Sequence, residues 1–210
     1  ATLLGLCYPF HHTVTPSTAN KAGKGKTALF EHTAVLPSVI MGCITLTMSA
    51  ITTYVPLYAL SLGMHNVGFF FTVYAIGLMV VRAFIGIVVD RFGIVAATIP
   101  SFISMLLAML LLAFAKDLAM ILASGFLYGA GYGGAQTTMQ SLAVMNAPAE
   151  RFGAANGTFF IGFDLGIGFG ALLAGILSDY FGFAPMYLML SIFIVLAILL
   201  VLKFRPHKAA

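Results

Sequence analysis

The sequence predicts an all-α polytopic membrane protein with six transmembrane helices, arranged as two inverted three-helix repeats. The 210-residue chain is 61% hydrophobic and 8% charged, whereas an ordinary soluble domain is about a quarter charged. The apolar residues occur in runs of about 20, the length that crosses a bilayer core. Finally, the stretch 66–93 recurs, in related form, 89 positions later at 155–182. Such self-similarity indicates two related structural units.

The chain divides into four segments in order. Residues 1–10 are apolar but too short to span, and we interpret them as the end of a preceding transmembrane helix. Residues 11–33 contain Pro, Ser, Gly and lysines, which indicates a cytoplasmic linker. Residues 34–203 form the six-helix transmembrane domain, and residues 204–210 a cytoplasmic tail. The predicted spans are 34–62, 66–89, 94–115, 118–145, 152–177 and 183–202.

The positive charges predict the orientation of the spans. Threading six spans places Lys116 on one side and eight cations on the other: Lys21, Lys24, Lys26, Arg91, Arg151, Lys203, Arg205 and Lys208. Because cytoplasmic loops carry the excess of Lys and Arg, the linker and the C-terminus are predicted to be cytoplasmic. The net charge of +4 is spread over short loops without a basic patch, so we expect no nucleic-acid partner.

The repeat relates the second span to the fifth. Both end in Gly-x-x-x-Asp-x-Phe-Gly, at 86–93 and at 175–182. The two spans cross in opposite directions, so spans one to three and four to six are predicted to be inverted repeats, an architecture typical of secondary transporters. The alternative is a chance match between Gly- and Phe-rich helices.

Two charged residues lie inside predicted spans. Asp164 is about 16 Å from the start of the fifth span, and Arg82 is about 12 Å from the end of the second. An intramembrane ionisable residue indicates function by default, so Asp164 is a candidate for proton coupling or for binding substrate, with Arg82 as its partner. The alternatives are a structural ion pair or a buried neutral acid for Asp164. Arg82 has two further alternatives, extension towards Asp90 or contact with substrate.

Polar residues recur along the fourth span at every fourth position, which keeps them near one helix face. They are predicted to line a cavity, and two tyrosines of the first span receive the same interpretation: Tyr128, Tyr132, Gln136, Gln140, Tyr54 and Tyr58. The alternative is hydrogen bonding between neighbouring helices. A second stripe, Gly125, Gly129 and Gly133, predicts close helix approach. The third and sixth spans hold no charge and are predicted to face lipid.

The end of the second span carries the motif Gly86, Asp90, Arg91 and Gly93. A carboxylate at the C-terminus of its own helix is unfavourable, so Asp90 should contact a neighbouring helix N-terminus or an arginine. Such a contact would latch one state of an alternating-access cycle. The alternative is that the motif only anchors the loop.

This motif resembles the signature loop of the major facilitator superfamily, although Ile94 and Val95 replace the basic residues that normally follow. That departure is similar to the weaker version in the C-terminal half of these transporters. The stretch 156–170 resembles the eleventh helix, and 29–38 the start of helix seven, of drug- and sugar-efflux members. The resemblance implies that the six spans are helices seven to twelve and that an N-terminal six-helix half is their partner.

We therefore expect a secondary transporter that exports a small molecule, such as a drug-like compound, by proton-coupled antiport in a bacterial plasma membrane. Its partners would be the substrate, protons, membrane lipids and the N-terminal half. We predict no cofactor and no metal, because Cys7 and Cys43 lack metal-site spacing. Alternatives are a sugar or metabolite symporter or uniporter, a lipid translocase, and a non-transporting scaffold or receptor. An enzyme is not expected, since all five histidines lie outside the spans.

Overall fold

The computed structural model describes residues 30–64 and 67–203. Within these residues the chain forms six helices that are long and apolar enough to cross a membrane, together with one 3₁₀ turn at Ala149–Arg151. The helices are α1 (His32–Ser61), α2 (Gly68–Phe92), α3 (Ile94–Ala113), α4 (Leu118–Met145), α5 (Phe152–Phe181) and α6 (Phe183–Lys203). The predicted segments 1–10 and 204–210, and most of the predicted linker, lie outside the described residues.

The six predicted spans are confirmed, and the differences lie at their ends. Helix α5 continues to Phe181 instead of ending at 177, because its terminating residue is Gly182, with φ of 83°. Helix α2 likewise ends before Gly93, with φ of 84°. A left-handed backbone is strained for a residue with a Cβ atom, so glycine marks both helix ends. Gly93 and Gly182 are 89 positions apart, which is the spacing of the repeat.

The packing of the helices has the symmetry of an inverted repeat. If α1 corresponds to α4, α2 to α5 and α3 to α6, then each major contact has a counterpart. Helix α5 packs along α1 as α2 packs along α4, and α6 packs on α1 as α3 packs on α4. Helices α1 and α4 also contact each other, as do α3 and α6. The predicted fold, six spanning helices in two related halves, is thereby confirmed.

Glycines set the closest approaches between helices. Helix α4 presents Gly125, Gly129 and Gly133 to α2, and α5 presents Gly162, Gly166 and Gly170 to α1. A Cβ atom on Gly129 would collide with the backbone carbonyl of Tyr74, and one on Gly162 would collide with that of Ser38. Small residues let membrane helices gain van der Waals contact where no hydrophobic effect drives them together. The predicted glycine stripe of α4 is confirmed as a helix-packing surface.

Burial is uneven across the six helices. Helices α1 and α4 are the most buried, and α2 and α5 are the least. The two least buried helices therefore flank a central pair and leave much of their surface uncovered. One end of the domain holds Glu31, the turn at Gly93 and the connection between α4 and α5; we call it the predicted cytoplasmic end.

Candidate functional site

A groove of about 740 Å³ lies between α2, α4 and α5, in the half of these helices nearer the predicted cytoplasmic end. Six of its lining residues come from the last three turns of α4, one from α2 and one from the start of α5. They are Gln136, Thr137, Gln140, Ser141, Val144, Met145, Arg82 and Asn156. Six of the eight carry polar side chains, so the groove suits a ligand with polar groups.

The glycine contacts between α2 and α4 determine where Arg82 lies. Phe70, Tyr74 and Leu78 of α2 oppose Gly125, Gly129 and Gly133 of α4, one helical turn after another. The next turn places Arg82 beside Gln136. Arg82 is exposed, and its guanidinium donates a hydrogen bond to Oε1 of Gln136.

Asp164 lies on the side of α5 that faces away from α1. It follows Gly162 and precedes Gly166, which both contact α1, and two residues correspond to about 200° around a helix. Its side chain is exposed and makes no hydrogen bond or ion pair with the described residues. The structure therefore does not join Asp164 to Arg82, whose partner is Gln136.

The predicted polar stripe of α4 divides into two parts. Gln136 and Gln140 line the groove, whereas Tyr128 and Tyr132 are buried among the helices. The hydroxyl of Tyr128 lies 2.7 Å from that of Thr47 on α1. Both hydroxyls also lie within hydrogen-bond distance of the carbonyl of Ile44, at 2.8 Å for Thr47 and 3.4 Å for Tyr128. These two tyrosines thus belong to the helix packing in this structure.

The tyrosines that precede the groove residues on α2 and α4 form a layer. The ring of Tyr128 stacks on those of Tyr74 and Tyr132, with both centroid separations 6.4 Å. No α4 residue before Gln136 lines the groove. The tyrosine layer therefore lies one turn of α4 beyond the lining of the groove, towards the far end of the domain. The hydroxyl of Tyr132 is buried without a hydrogen-bond partner among the described residues.

Tyr54 and Tyr58 of α1 both bond to other segments. The hydroxyl of Tyr54 donates to the carbonyl of Ala171 on α5, at 3.3 Å. Tyr58 is buried and donates to the carbonyl of Ala115, also at 3.3 Å, while its ring packs against Phe183 and Tyr187. Neither side chain lines the groove: Tyr54 bonds α1 to α5, and Tyr58 bonds α1 to the connection between α3 and α4.

The motif at the end of α2 is open to its surroundings. A Cβ atom on Gly86 would meet no atom within 4 Å, and Gly93 connects α2 directly to α3. Asp90 and Arg91 are exposed. Within the described part of the chain, Asp90 makes no hydrogen bond or ion pair. The latch stays a prediction, and its proposed contact would have to come from beyond these residues.

An ion pair that sequence reasoning missed joins the two repeats at the predicted cytoplasmic end. Nε of Arg151 lies 2.9 Å from a carboxylate oxygen of Glu31, which is 6% exposed. A second Arg151 nitrogen donates to the carbonyl of Phe30, and the backbone N–H of Glu31 donates to the Thr158 hydroxyl. The start of α1 is thereby fastened to the start of α5.

The groove also contains residues that were not predicted: Thr137, Ser141 and Asn156. Thr137 and Ser141 are four residues apart and adjoin Gln136 and Gln140. The polar face of α4 is therefore two residues wide, and this width could have predicted that Thr137 and Ser141 line the groove. Asn156 comes from a separate helix, and only the packing of α5 near α4 brings it to the groove.

A second groove, of about 520 Å³, lies between α1 and α5 and is lined almost wholly by apolar side chains. Its two hydroxyls, those of Ser38 and Thr158, each donate to a carbonyl of their own helix. The surface offered to a ligand there is therefore apolar, in contrast with the groove at Arg82.

Known proteins resemble this chain over most of its length. A family model described as Major Facilitator Superfamily matches residues 37–210. The staphylopine export protein of Staphylococcus aureus is 29% identical over 172 residues, which cover 80% of this chain and 43% of that protein. An uncharacterised MFS-type transporter of Methanocaldococcus jannaschii is 32% identical over 147 residues, covering 69% of this chain and 38% of that protein. The chain thus aligns with less than half the length of either relative.

Proposed function

The chain belongs to the major facilitator superfamily, and from this premise we propose that it serves as the helix seven to twelve half of a secondary transporter that exports a small molecule by proton-coupled antiport. Membership of this family of multi-pass membrane transporters points to transport rather than to enzymatic catalysis. The direction, the coupling ion and the second half are parts of the proposal. One relative is named for export, and this favours efflux over uptake.

The groove at Arg82 is the observation that carries the proposal. It contains six polar side chains, it lies within spans that are otherwise apolar, and the stacked rings of Tyr74, Tyr128 and Tyr132 lie beyond it on α2 and α4. A polar site with packed side chains on its far side fits a state of an alternating-access cycle that is open towards the other side. Together with an N-terminal half, α2, α4 and α5 would enclose the substrate.

Asp164 is the proposed coupling or substrate-binding carboxylate. A charged group in the middle of a bilayer is disfavoured by about 2.5–3.5 kcal/mol on insertion scales. The described residues give Asp164 no partner that would offset this cost. We therefore place it at the surface shared with the N-terminal half, where a water-filled pathway would let it bind and release a proton.

The motif of Gly86, Asp90, Arg91 and Gly93 is proposed to latch that half. The open space beside Gly86 and the absence of a described partner for Asp90 leave room for a second element at this end. The predicted cytoplasmic location of this end, in a bacterial plasma membrane, belongs to the same proposal.

A lipid translocase is the second candidate, and the apolar groove between α1 and α5 favours it. Its 520 Å³ would accommodate part of an acyl chain. A lipid substrate would use that groove and would be indifferent to Arg82. Sugar or metabolite symport, uniport and a non-transporting scaffold or receptor have no observation of their own in their favour.

The proposal is tested with the complete transporter that contains this chain, in everted membrane vesicles under an imposed proton gradient. Uptake of a dye panel is compared between the wild type, Asp164→Asn and the matched control Asp179→Asn, which changes an exposed carboxylate near the far end of the same helix. We expect gradient-driven uptake to be lost in Asp164→Asn alone, at equal expression. Uptake that persists in Asp164→Asn would remove Asp164 from the coupling mechanism, and uptake that persists after the gradient is collapsed would exclude antiport.

A further inference from the structure

We propose that the groove selects substrates that carry a carboxylate together with a hydrogen-bond donor, with Arg82 binding the carboxylate. This inference rests on the proposed transport function and names the substrate class of that site. Among the described residues that line the groove, Arg82 alone carries a charge, and none is acidic. An organic cation would meet only repulsion from Arg82, whereas an anion would be attracted.

The hydrogen bond from Arg82 to Gln136 prepares both side chains for an anion. It occupies one of the five N–H groups of the guanidinium and leaves the others for a ligand. It also turns Oε1 of Gln136 towards Arg82, so the NH₂ group of Gln136 points elsewhere as a donor. The planar guanidinium fork matches a carboxylate in a bidentate arrangement.

The charge balance favours a carboxylate over a phosphate. One guanidinium neutralises one carboxylate, whereas a phosphate monoester brings about −1.5 to −2 charges at neutral pH. The groove offers the second charge no cation among the described residues. The hydroxyl of Ser141 and the amide of Gln140 would add neutral hydrogen bonds one turn nearer the predicted cytoplasmic end.

Asn156 is the reason why the proposed substrate carries a hydrogen-bond donor. Its Oδ1 atom is buried and accepts no hydrogen bond from the described residues, although its side chain lines the groove opposite α4. A buried acceptor without a donor is unfavourable by about 1–3 kcal/mol. A rotation of the Asn156 side chain that turns Oδ1 into the groove would let an N–H or O–H group on a bound ligand satisfy it while Arg82 holds the carboxylate.

The test measures equilibrium binding to the purified complete transporter without any proton gradient. The probes are dansyl-glycine, which has a carboxylate and an N–H donor, and its methyl ester, which keeps the N–H donor and carries a methyl group in place of the negative charge. We expect the acid to bind about 10- to 100-fold more tightly than the ester, the range for a hydrogen bond to a charged group. Equal affinity for the two probes, including no binding of either, would overturn the proposal.

Variants test whether Arg82 causes the tighter binding of the acid. Arg82→Gln should remove it, Arg82→Lys should retain part of it, and Lys116→Gln, which deletes a cation outside the groove, should preserve it. An acid preference that survives Arg82→Gln in a folded protein would overturn the role of Arg82. Because this binding assay uses no proton gradient, its result does not depend on whether transport is coupled to protons. A preference for the acid without gradient-driven uptake would support the carboxylate site and refute antiport. Gradient-driven uptake without a preference for the acid would support antiport and refute the carboxylate site.

Discussion

Arg82 of α2 donates a hydrogen bond to Gln136 of α4 at the point where the glycines of α4 no longer contact the backbone of α2. The two facts are connected. Three successive turns of α4 carry glycine where α2 approaches, and the fourth carries Gln136, whose side chain occupies the space that opens there. The sequence of α4 thus determines both how closely the helices pack and where the polar groove begins.

The first prediction concerns this packing. Gly129→Val should destabilise the protein by about 1–3 kcal/mol, because the new side chain would collide with the backbone of α2 at Tyr74, which has little freedom to move. The measurement is an SDS unfolding titration of the purified transporter in mixed micelles. The matched control is Gly157→Val on α5, where a Cβ atom would meet nothing within 4 Å. Equal losses in the two variants would show that the α2–α4 contact is looser than described.

The second prediction uses the repeat. Gly93→Ala and Gly182→Ala should each destabilise the protein by about 1–2 kcal/mol, because both residues have φ near +84° and alanine is strained there. The same titration measures both losses. They should be alike, since the two glycines occupy equivalent turns after α2 and α5. A loss at one turn and none at the other would mean that the halves are not equivalent in this feature.

The sequence predicted the six spans, the repeat and the glycine surface of α4, because each is recorded in local patterns of apolar, charged and small residues. It did not show which residues of one polar stripe would be buried. Tyr128 and Gln136 follow the same four-residue spacing, yet one meets Thr47 of α1 and the other meets Arg82 in the groove. That difference depends on which helix faces each turn, which no single-helix pattern contains.

The similar predicted membrane depths of Arg82 and Asp164 also did not predict which residues form an ion pair. Arg82 and Asp164 lie at similar predicted depths, which made an ion pair geometrically allowed. Depth says nothing about direction around the helix axis, however, and Asp164 is turned away from α1 while Arg82 is turned to α4. The ion pair that does form, between Glu31 and Arg151, joins residues 120 positions apart outside the spans. Its acid lies directly before α1, at a position that sequence reasoning interpreted as the end of the linker and as part of a stretch resembling the start of helix seven, without a partner for the carboxylate.

The third prediction concerns the tyrosine layer. Tyr128→Phe should lower stability by about 1 kcal/mol, a typical value for a hydrogen bond between membrane helices, because it removes the bond to Thr47. Thr47→Val should show a similar loss in the SDS titration. The double variant should then lose less than the sum of the single losses, because both changes remove the same contact. Simple additivity would mean that the two hydroxyls do not interact.

The fourth prediction concerns the ion pair at the predicted cytoplasmic end. Arg151→Gln should destabilise the protein by about 1–2 kcal/mol, because it leaves the buried carboxylate of Glu31 without its cation. Half-exposed Arg151 is partly hydrated, which keeps the value below that of a fully buried pair. Glu31→Gln in the Arg151→Gln background should recover part of the loss. If Glu31→Gln added a further full loss instead, the two side chains would be acting separately.

The fifth prediction follows from the separation of Arg82 and Asp164. If the two residues act through different steps, substrate binding and coupling, their effects on transport should be independent. Arg82→Lys and Asp164→Glu are chosen because each keeps its charge and should leave measurable gradient-driven uptake. The uptake rate of the double variant should fall by the product of the two single losses, within about twofold, as for sites without shared partners. A double variant no slower than the slower single variant would show that Arg82 and Asp164 work as a pair during the cycle, and would require a state in which α2 and α5 bring them together.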